Sequence, residues 1–401
     1  MNIFQKAWYR TYQKTIYAVS PFLPWRQPKL LSFKDGIKDL PKFILESNHK
    51  SVMLVVDSNL AKMGMPAPFI EECANVGLKL TVFDKVFPNP TIDLVEDALK
   101  EYKANGCDCL VALGGGSSMD CAKVVGARVA CPKKPIPKMK GILKVRKKLP
   151  MFVAIPTTAG TGSETTLAAV ISNSETHEKY AINDHALIPE YALLDASLTL
   201  GLPPHITSTT GIDALTHAVE AYIGKGNTKQ TKEMAEKAVK LIFENLVTAY
   251  QDGSNFEARE NMLKGSFYAG AAFTRAYVGY VHAMAHTLGG FYHTPHGLAN
   301  SVILPYVLEF FGESIYKKLA KLADIVGIKG DSDEQKAKAF IQAIKDMNNT
   351  MNIPDKFVDV IKEEDIPLMV DRAYAEAHPL YPVPKFMSKS QLAEMFRKLI
   401  G

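Results

Sequence analysis

Asp213 and His217 stand four residues apart in Gly211-Ile212-Asp213-Ala214-Leu215-Thr216-His217, and His282 and His286 repeat the spacing in Val281-His282-Ala283-Met284-Ala285-His286. Both stretches read as helical, and on a helix the i, i+4 spacing aims two side chains at one spot. Thr294-Pro295-His296-Gly297 adds an imidazole after a Gly-Gly break. A carboxylate with several neutral imidazoles suits a borderline divalent cation, ferrous iron or zinc, and not calcium or magnesium. Of the ten histidines in the chain, four fall between 282 and 296, a concentration that calls for a site more than a core does. One Asp-x-x-x-His pair alone is usually a solvated or capping pair, whereas two in one chain favour a metal site.

A second feature lies upstream. The apolar run Cys109-Leu110-Val111-Ala112-Leu113 breaks into Gly114-Gly115-Gly116-Ser117-Ser118-Met119-Asp120, and a helical pattern follows from Cys121. Strand, glycine loop and helix start together present bare backbone N–H groups and the positive end of a helix to a phosphate. The pattern is neither the GxGxxG fingerprint nor a Walker loop, and by itself it could be a tight strand-to-helix turn. A third segment, Thr157-Thr158-Ala159-Gly160-Thr161-Gly162-Ser163-Glu164, follows the buried run Met151–Pro156. Its glycines and small hydroxyls let a flat ligand approach and hydrogen-bond to the backbone.

The elements that must position these residues alternate in the first half. Strands are expected at 51–57 and 78–83 and helices at 60–77 and 96–105, an order that implies a parallel sheet covered by helices. After about Leu200, past Pro203-Pro204, the periodicity is helical throughout, over 229–251, 256–286, 312–325 and 333–349. The expected fold is therefore α/β followed by all-α: a dinucleotide-binding domain over 28–199 and a helical metal-binding domain over 200–401. Residues 1–27 form an extension. Residues 1–34 contain no acid and include Trp8, Tyr9, Tyr12, Tyr17, Phe22 and Trp25. Phe4, Trp8, Tyr12 and Ile16 recur every four residues, so the extension reads as a helical arm whose apolar face packs on the body or on a partner subunit.

Composition sets the outer bounds. With 401 residues, 47% hydrophobic and 22% charged, the chain is an ordinary globular sequence, and no apolar run approaches the ~20 residues of a membrane span. Five cysteines with no CxxC pair read as reduced thiols, and a cytoplasmic location is expected. The net charge of +5 does not signal nucleic acid. Between Cys131 and Pro150, eight lysines and arginines occur with no acid, so this one solvated loop outweighs the whole excess.

Taken in order, GGGSSMD, TTAGTGSE, GIDALTHAVEAY and VHAMAHTLGGFYHTPHG resemble the iron-containing (group III) alcohol dehydrogenase family, a relative of glycerol dehydrogenase and dehydroquinate synthase. The resemblance runs from about residue 30 to near the C-terminus. It implies a metal- and NAD(P)-dependent oxidoreductase with Asp213, His217, His282 and His296 as metal ligands, Fe2+ first and Zn2+ second. It implies that His286 lies near the nicotinamide as proton relay or substrate contact, with a structural role beside the ligands as the alternative. On the cofactor side it implies Gly114, Gly115, Gly116, Ser117 and Asp120 at the pyrophosphate, with Thr157, Thr158, Thr161 and Lys179 as further contacts. Asn89-Pro90-Thr91 resembles the family's Pro-Asn-Pro loop. Asp57 ends its strand where the adenosine ribose belongs, which favours NAD over NADP. Two positions depart from the family pattern: Thr287 stands where many members have proline, and Tyr381-Pro382-Val383-Pro384 replaces a Thr-x-Asn-Pro segment. Neither touches the ligands or the glycine loop.

The expected reaction is hydride transfer between a primary or secondary alcohol and NAD(P), in the cleft between the domains of a homodimer, with a small alcohol, aldehyde or ketone as partner. A dehydroquinate synthase-like lyase would use the same cofactor and metal but needs more basic residues for a phosphorylated substrate. A non-catalytic nucleotide-binding scaffold would show a broken ligand set, whereas all four positions are filled.

Overall fold

The structure, a computed structural model, describes residues 1–19, 23, 25–174 and 178–401. Phe22 of the aromatic N-terminal set lies outside them. The chain divides into two compact units, Pro24–Gly201 and the discontinuous pair Met1–Leu23 with Leu202–Gly401. Among the described residues no helix is long and apolar enough to cross a membrane.

Helix α1 (Ile3–Val19) opens the chain. The α/β unit then runs β1 (Lys29–Leu31), α2 (Leu40–Glu46), β2 (Ser51–Asp57), α3 (Ser58–Lys62), α4 (Ala67–Val76), β3 (Lys79–Val86), α5 (Ile92–Ala104), β4 (Cys109–Gly114), α6 (Gly116–Ala130), β5 (Gly141–Ile142), β6 (Met151–Pro156), β7 (Ala168–Ser172), β8 (Lys179–Asn183) and β9 (Tyr191–Leu193). The main sheet has the order β1-β9-β6-β4-β2-β3 with every pairing parallel. Strands β4 and β6 are buried along their whole length and β2 up to Asp57, the continuous apolar pattern of a parallel sheet covered on both faces. The strand period of two divides them between two cores. Met53, Val55, Leu110 and Ala112 pack with Val95, Leu99, Met119 and Ala122 of α5 and α6. Val52, Leu54, Val111 and Leu113 pack with Leu40, Ile44, Phe69 and Cys73 of α2 and α4.

The helical unit adds α7 (Pro204–Ile223), α8 (Lys229–Gln251), α9 (Phe256–Ala276), α10 (Tyr280–Tyr292), α11 (His296–Phe311), α12 (Tyr316–Ile325), α13 (Asp333–Thr350), α14 (Ile366–Ala377) and α15 (Lys389–Lys398). Every residue of α7 from Gly211 to Ile223 is buried, as a helix packed on all sides requires. Glycines set its closest approaches. A Cβ on Gly297 would lie 2.6 Å from the Thr209 carbonyl oxygen, and one on Gly211 would lie 2.2 Å from Leu246 Cδ1.

Several expectations are corrected. The single helix expected over 60–77 is two, because Gly64 takes a left-handed φ of 74° and Pro66 follows it. The helix expected over 256–286 breaks at Tyr277 (φ 66°) and Gly279, so α9 and α10 are separate. The Gly289-Gly290 pair, read as a break, is carried inside α10, which ends instead at His293 with φ 54°. The basic loop is folded: Ile136, Met139, Val145 and Leu149 are buried beneath it, and β5 joins β8 and β7 in a second sheet. The expected packing face of α1 is offset, since Phe4 and Trp8 are 82% and 60% exposed while Gln13 is buried. All five cysteines are free and buried.

Candidate metal centre and nucleotide cradle

Helix α7 supplies Asp213 and His217, α10 supplies His282, and His296 is the first residue of α11. One ligand atom from each of these four residues lies within 4.8 Å of all the others. Asp213 and His282 side chains are 3% exposed and His296 38%. From Asp213 Oδ1, His296 Nε2 is 3.5 Å away and His282 Nε2 4.0 Å. The His217 ring is sandwiched, stacked on Phe273 at 4.1 Å and on His282 at 4.5 Å.

Two residues that sequence reasoning did not assign complete the site. Glu220, on α7 seven residues after Asp213, is fully buried and accepts from His282 Nδ1 at 2.7 Å. The same carboxylate accepts the backbone N–H of Gly279 and of Val281, both at 2.9 Å, and so caps the start of α10. Burial pushes the Glu220 carboxyl up to about 7, opposed by those backbone donors. Burial first, then the neighbouring His217, His296 and His286, drives the His282 imidazolium well below its ordinary range. The imidazole is therefore neutral. Its Nδ1 faces Glu220, and its Nε2 lone pair faces the cluster. The spacing of Asp213, His217 and Glu220 on one helix face was the available signal.

Asn300, one turn after His296, is the other addition. Its Nδ2 is 2.6 Å from Asp213 Oδ1, 3.1 Å from His296 Nε2 and 3.3 Å from His282 Nε2, while its buried Oδ1 has no partner. One amide has two hydrogens, and three acceptors converge on it. Lone pairs concentrated in a buried site are costly without positive charge. A carboxylate with three imidazoles in that condition fits a borderline divalent cation.

His286 is placed one turn beyond His282, its side chain 47% exposed, with its ring stacked on His296 at 5.0 Å. His293, read as a surface residue, is exposed and occupies the C-cap of α10.

In the α/β unit, the C-terminal ends of β2, β4 and β6 are adjacent: Val56 pairs with Leu113 and Gly114 with Pro156. Asp57, Gly114 to Ser117, and Thr157 thus meet at one sheet edge, where open α/β sheets bind ligands. Gly114 has φ 147°, and a Cβ there would lie 2.5 Å from Ser118 Oγ, so only glycine lets the chain turn into α6. A side chain on Gly115 or Gly116 would face Thr158 or Thr161. Asp57 caps α3, accepting from the backbone N–H of Asn59 at 2.8 Å. Lys179 Nζ donates to Asn89 Oδ1 at 2.6 Å, and Asn89 has φ 61°.

Asp120 braces this edge. Its two oxygens accept from Ser163 Oγ at 3.1 Å and from the Val170 N–H at 3.0 Å. Lys123, unassigned from sequence, is buried and donates to Ser163 Oγ, Thr166 Oγ1 and the Ala168 carbonyl at 2.8–2.9 Å. Burial lowers its ammonium to about 8, against the pull of Asp120 and Glu164. Glu164 is also buried, its Oε1 without a hydrogen-bond partner, and burial raises its carboxyl to about 7.

The two halves of the sequence match known proteins. Residues 28–196 match the family described as iron-containing alcohol dehydrogenase, and residues 207–400 match the C-terminal region of the Fe-containing alcohol dehydrogenase family. Alcohol dehydrogenase 4 of Saccharomyces cerevisiae is 38% identical over 375 residues, covering 92% of this chain and 97% of that protein. The NAD-dependent methanol dehydrogenase of Bacillus methanolicus is 35% identical over 358 residues, covering 88% and 93%. The crystal structure of a 1,3-propanediol oxidoreductase superposes with a TM-score of 0.89 at 35% identity, covering 94% of this chain and 99% of that one. The chain belongs to the iron-containing alcohol dehydrogenase family.

Glu220→Gln keeps the shape but removes the charge from the Nδ1 side of His282. Its affinity for ferrous or zinc ion should fall about 10- to 100-fold, measured by competition with a metal indicator. Glu164 gives a pH signature. A folded-state carboxyl raised to about 7 costs stability as pH climbs from the unfolded value through 7. Glu164→Gln should therefore stabilise the chain more at pH 8 than at pH 5, by on the order of 3 kcal/mol between the two, measured by urea denaturation.

Proposed function

We propose that this member of the iron-containing alcohol dehydrogenases transfers a hydride between a primary or secondary alcohol and NAD, reversibly, with aldehydes or ketones reduced in the other direction. The observation that carries the reading is the buried convergence of Asp213, His217, His282 and His296, whose ligand atoms lie within 4.8 Å of one another. These four side chains would hold one divalent cation, iron before zinc. The bound cation supplies Lewis acidity toward an alcohol or carbonyl oxygen. The family name and the donor set support iron; the NAD-dependent methanol dehydrogenase supports NAD.

The chain's own residues do the rest. Gly114, Gly115, Gly116 and Ser117 offer backbone N–H groups at the start of α6 to a pyrophosphate. Thr157, Thr158 and Thr161 line the adjoining loop. Asp120 and Lys123 hold that loop against α6, and Lys179 is kept in place by Asn89. Asp57 uses one oxygen to cap α3 and offers its remaining acceptor capacity to ribose hydroxyls, a carboxylate that repels a 2′-phosphate. His286 carries the alcohol proton: its imidazole is half exposed, within reach of water as a proton acceptor and donor.

The test uses purified chain reloaded with Fe2+ or Zn2+ after chelation, with metal content and NADH oxidation measured on one preparation across short aldehydes. Activity should vanish on chelation and return with metal. The double variant His282→Ala, His296→Ala should hold no stoichiometric metal; full occupancy in that variant would sink the assignment. His286→Ala should keep its metal and lose about 10²- to 10⁴-fold in turnover. For cofactor choice, NADH should be preferred to NADPH by about 5- to 150-fold, the equivalent of ~1–3 kcal/mol, and Asp57→Gly should narrow the preference. More efficient use of NADPH by the unaltered chain would refute the ribose assignment.

A further inference from the structure

His286 lies on α10 with almost half of its side chain exposed and its ring stacked on His296 at 5.0 Å. A hydrogen bond adds a fixed direction to the ring. Its Nδ1 is 2.6 Å from Glu376 Oε1, on α14. The same oxygen receives the hydroxyl hydrogen of Tyr381 at 2.8 Å. Two donors converging on one oxygen require it to act as acceptor for both, and burial holds the Tyr381 hydroxyl well above its ordinary range, so the phenol keeps its proton. With Nδ1–H given to Glu376, a neutral ring carries its lone pair on Nε2.

Tyr381 is held in turn from the far end of the chain. It lies in Pro379–Pro384, where Pro379, Pro382 and Pro384 have no N–H, so the segment is poor in backbone donors for its own carbonyls, although the Val383 N–H reaches the Tyr381 carbonyl at 2.9 Å. Helix α1 provides the donors. Gln13 Nε2 gives hydrogen bonds to the carbonyls of Pro379 and Tyr381, both at 2.8 Å. Arg10 reaches the Pro384 carbonyl at 3.2 Å, holds Gln13 Oε1 at 2.9 Å and lies 4.0 Å over the Phe386 ring. This explains an otherwise odd helix, one that turns its glutamine inward and leaves Phe4 and Trp8 in solvent.

We propose that Glu376 and Tyr381 are positioning residues that fix the tautomer and orientation of His286, and that α1 belongs to this device by holding Tyr381 in place. The inference rests on the proton-carrying role of His286 proposed above. It extends that role to residues 376, 381 and 13, none of which lies in the ligand or glycine-loop motifs.

The experiment uses the full chain loaded with Fe2+ and propanal reduction by NADH, with metal content determined on each sample. Glu376→Gln and Tyr381→Phe should each lower kcat about 10- to 100-fold while KM for NADH and iron content stay unchanged. Gln13→Ala should shift kcat in the same direction by a smaller factor. In a His286→Ala background, Glu376→Gln and Tyr381→Phe should cause no further loss; a role in general stability would slow that background as well. A readout independent of turnover is the ¹⁵N spectrum of the zinc-loaded chain. His286 should be protonated at Nδ1 in the unaltered protein and a tautomer mixture in Tyr381→Phe, which removes a single oxygen and serves where Glu376→Gln does not fold. Unchanged kcat in both variants, additive losses on the His286→Ala background, or an unchanged tautomer in Tyr381→Phe overturns the inference while leaving the role of His286 intact. Unchanged kcat in Gln13→Ala removes α1 from the device. If His286→Ala itself turns over normally with its metal bound, both readings fall together.

Discussion

The helical unit depends on one buried carboxylate. Glu220 leaves the last turn of a buried helix, α7, and three groups from the start of α10 converge on it: two backbone N–H groups and the Nδ1 of His282. An uncompensated carboxylate in such a place would cost several kcal/mol, so the protein can keep it only by bringing α10 to it in one register. That register fixes His282. It also explains the interruption between α9 and α10. Residue 279 must be free of an intrahelical partner for its N–H to reach Glu220, and a Cβ there would lie 2.7 Å from the carboxylate oxygen, so the position is a glycine. The break in the helix is thus what lets the helix start again facing Asp213.

The α/β unit uses the same logic with the opposite charge. Lys123 is an ammonium with no exposure, made tolerable by three oxygens from the segment that follows the threonine-rich loop. The glycine loop at the start of α6 and the loop after β6 are consequently one rigid piece, cross-braced through Ser163 by Lys123 and Asp120 together. A loop that must present backbone groups to a phosphate gains from such bracing, because orientation is established before the ligand arrives.

Much of this was legible in the sequence, and the limits of legibility are physical. The i, i+4 pairs at 213/217 and 282/286 and the glycine loop could be read because helix and strand geometry convert spacing directly into direction. The buried strands β2, β4 and β6 could be read because they are apolar without interruption. Glu220 was not read as functional, though it sits in the same motif as His217, because its partners come from another helix 59 to 62 residues away. Asn300 carries no spacing signal of its own; only the convergence of α7, α10 and α11 makes its amide central. The face by which α1 meets the body was not legible for a related reason. A four-residue apolar repeat marks the more hydrophobic side, yet the side that packs is the one whose donors match a carbonyl-rich, proline-rich segment. The break at Gly64 and Pro66 has a signal in the letters, a glycine and a proline two residues apart.

The contacts of α1 join residues 374, 366 and 368 positions apart in sequence. A ribosome makes this helix 366 to 374 residues before these partners. While Gln13 and Arg10 wait for Pro379–Pro384, the intervening α/β unit, compact within Pro24–Gly201, can already complete its sheet. These contacts of α1 therefore form only after the chain has passed Pro384. A chain released before Pro379 has its glycine loop and all four clustered ligands encoded, but lacks the clasp between α1 and Pro379–Pro384.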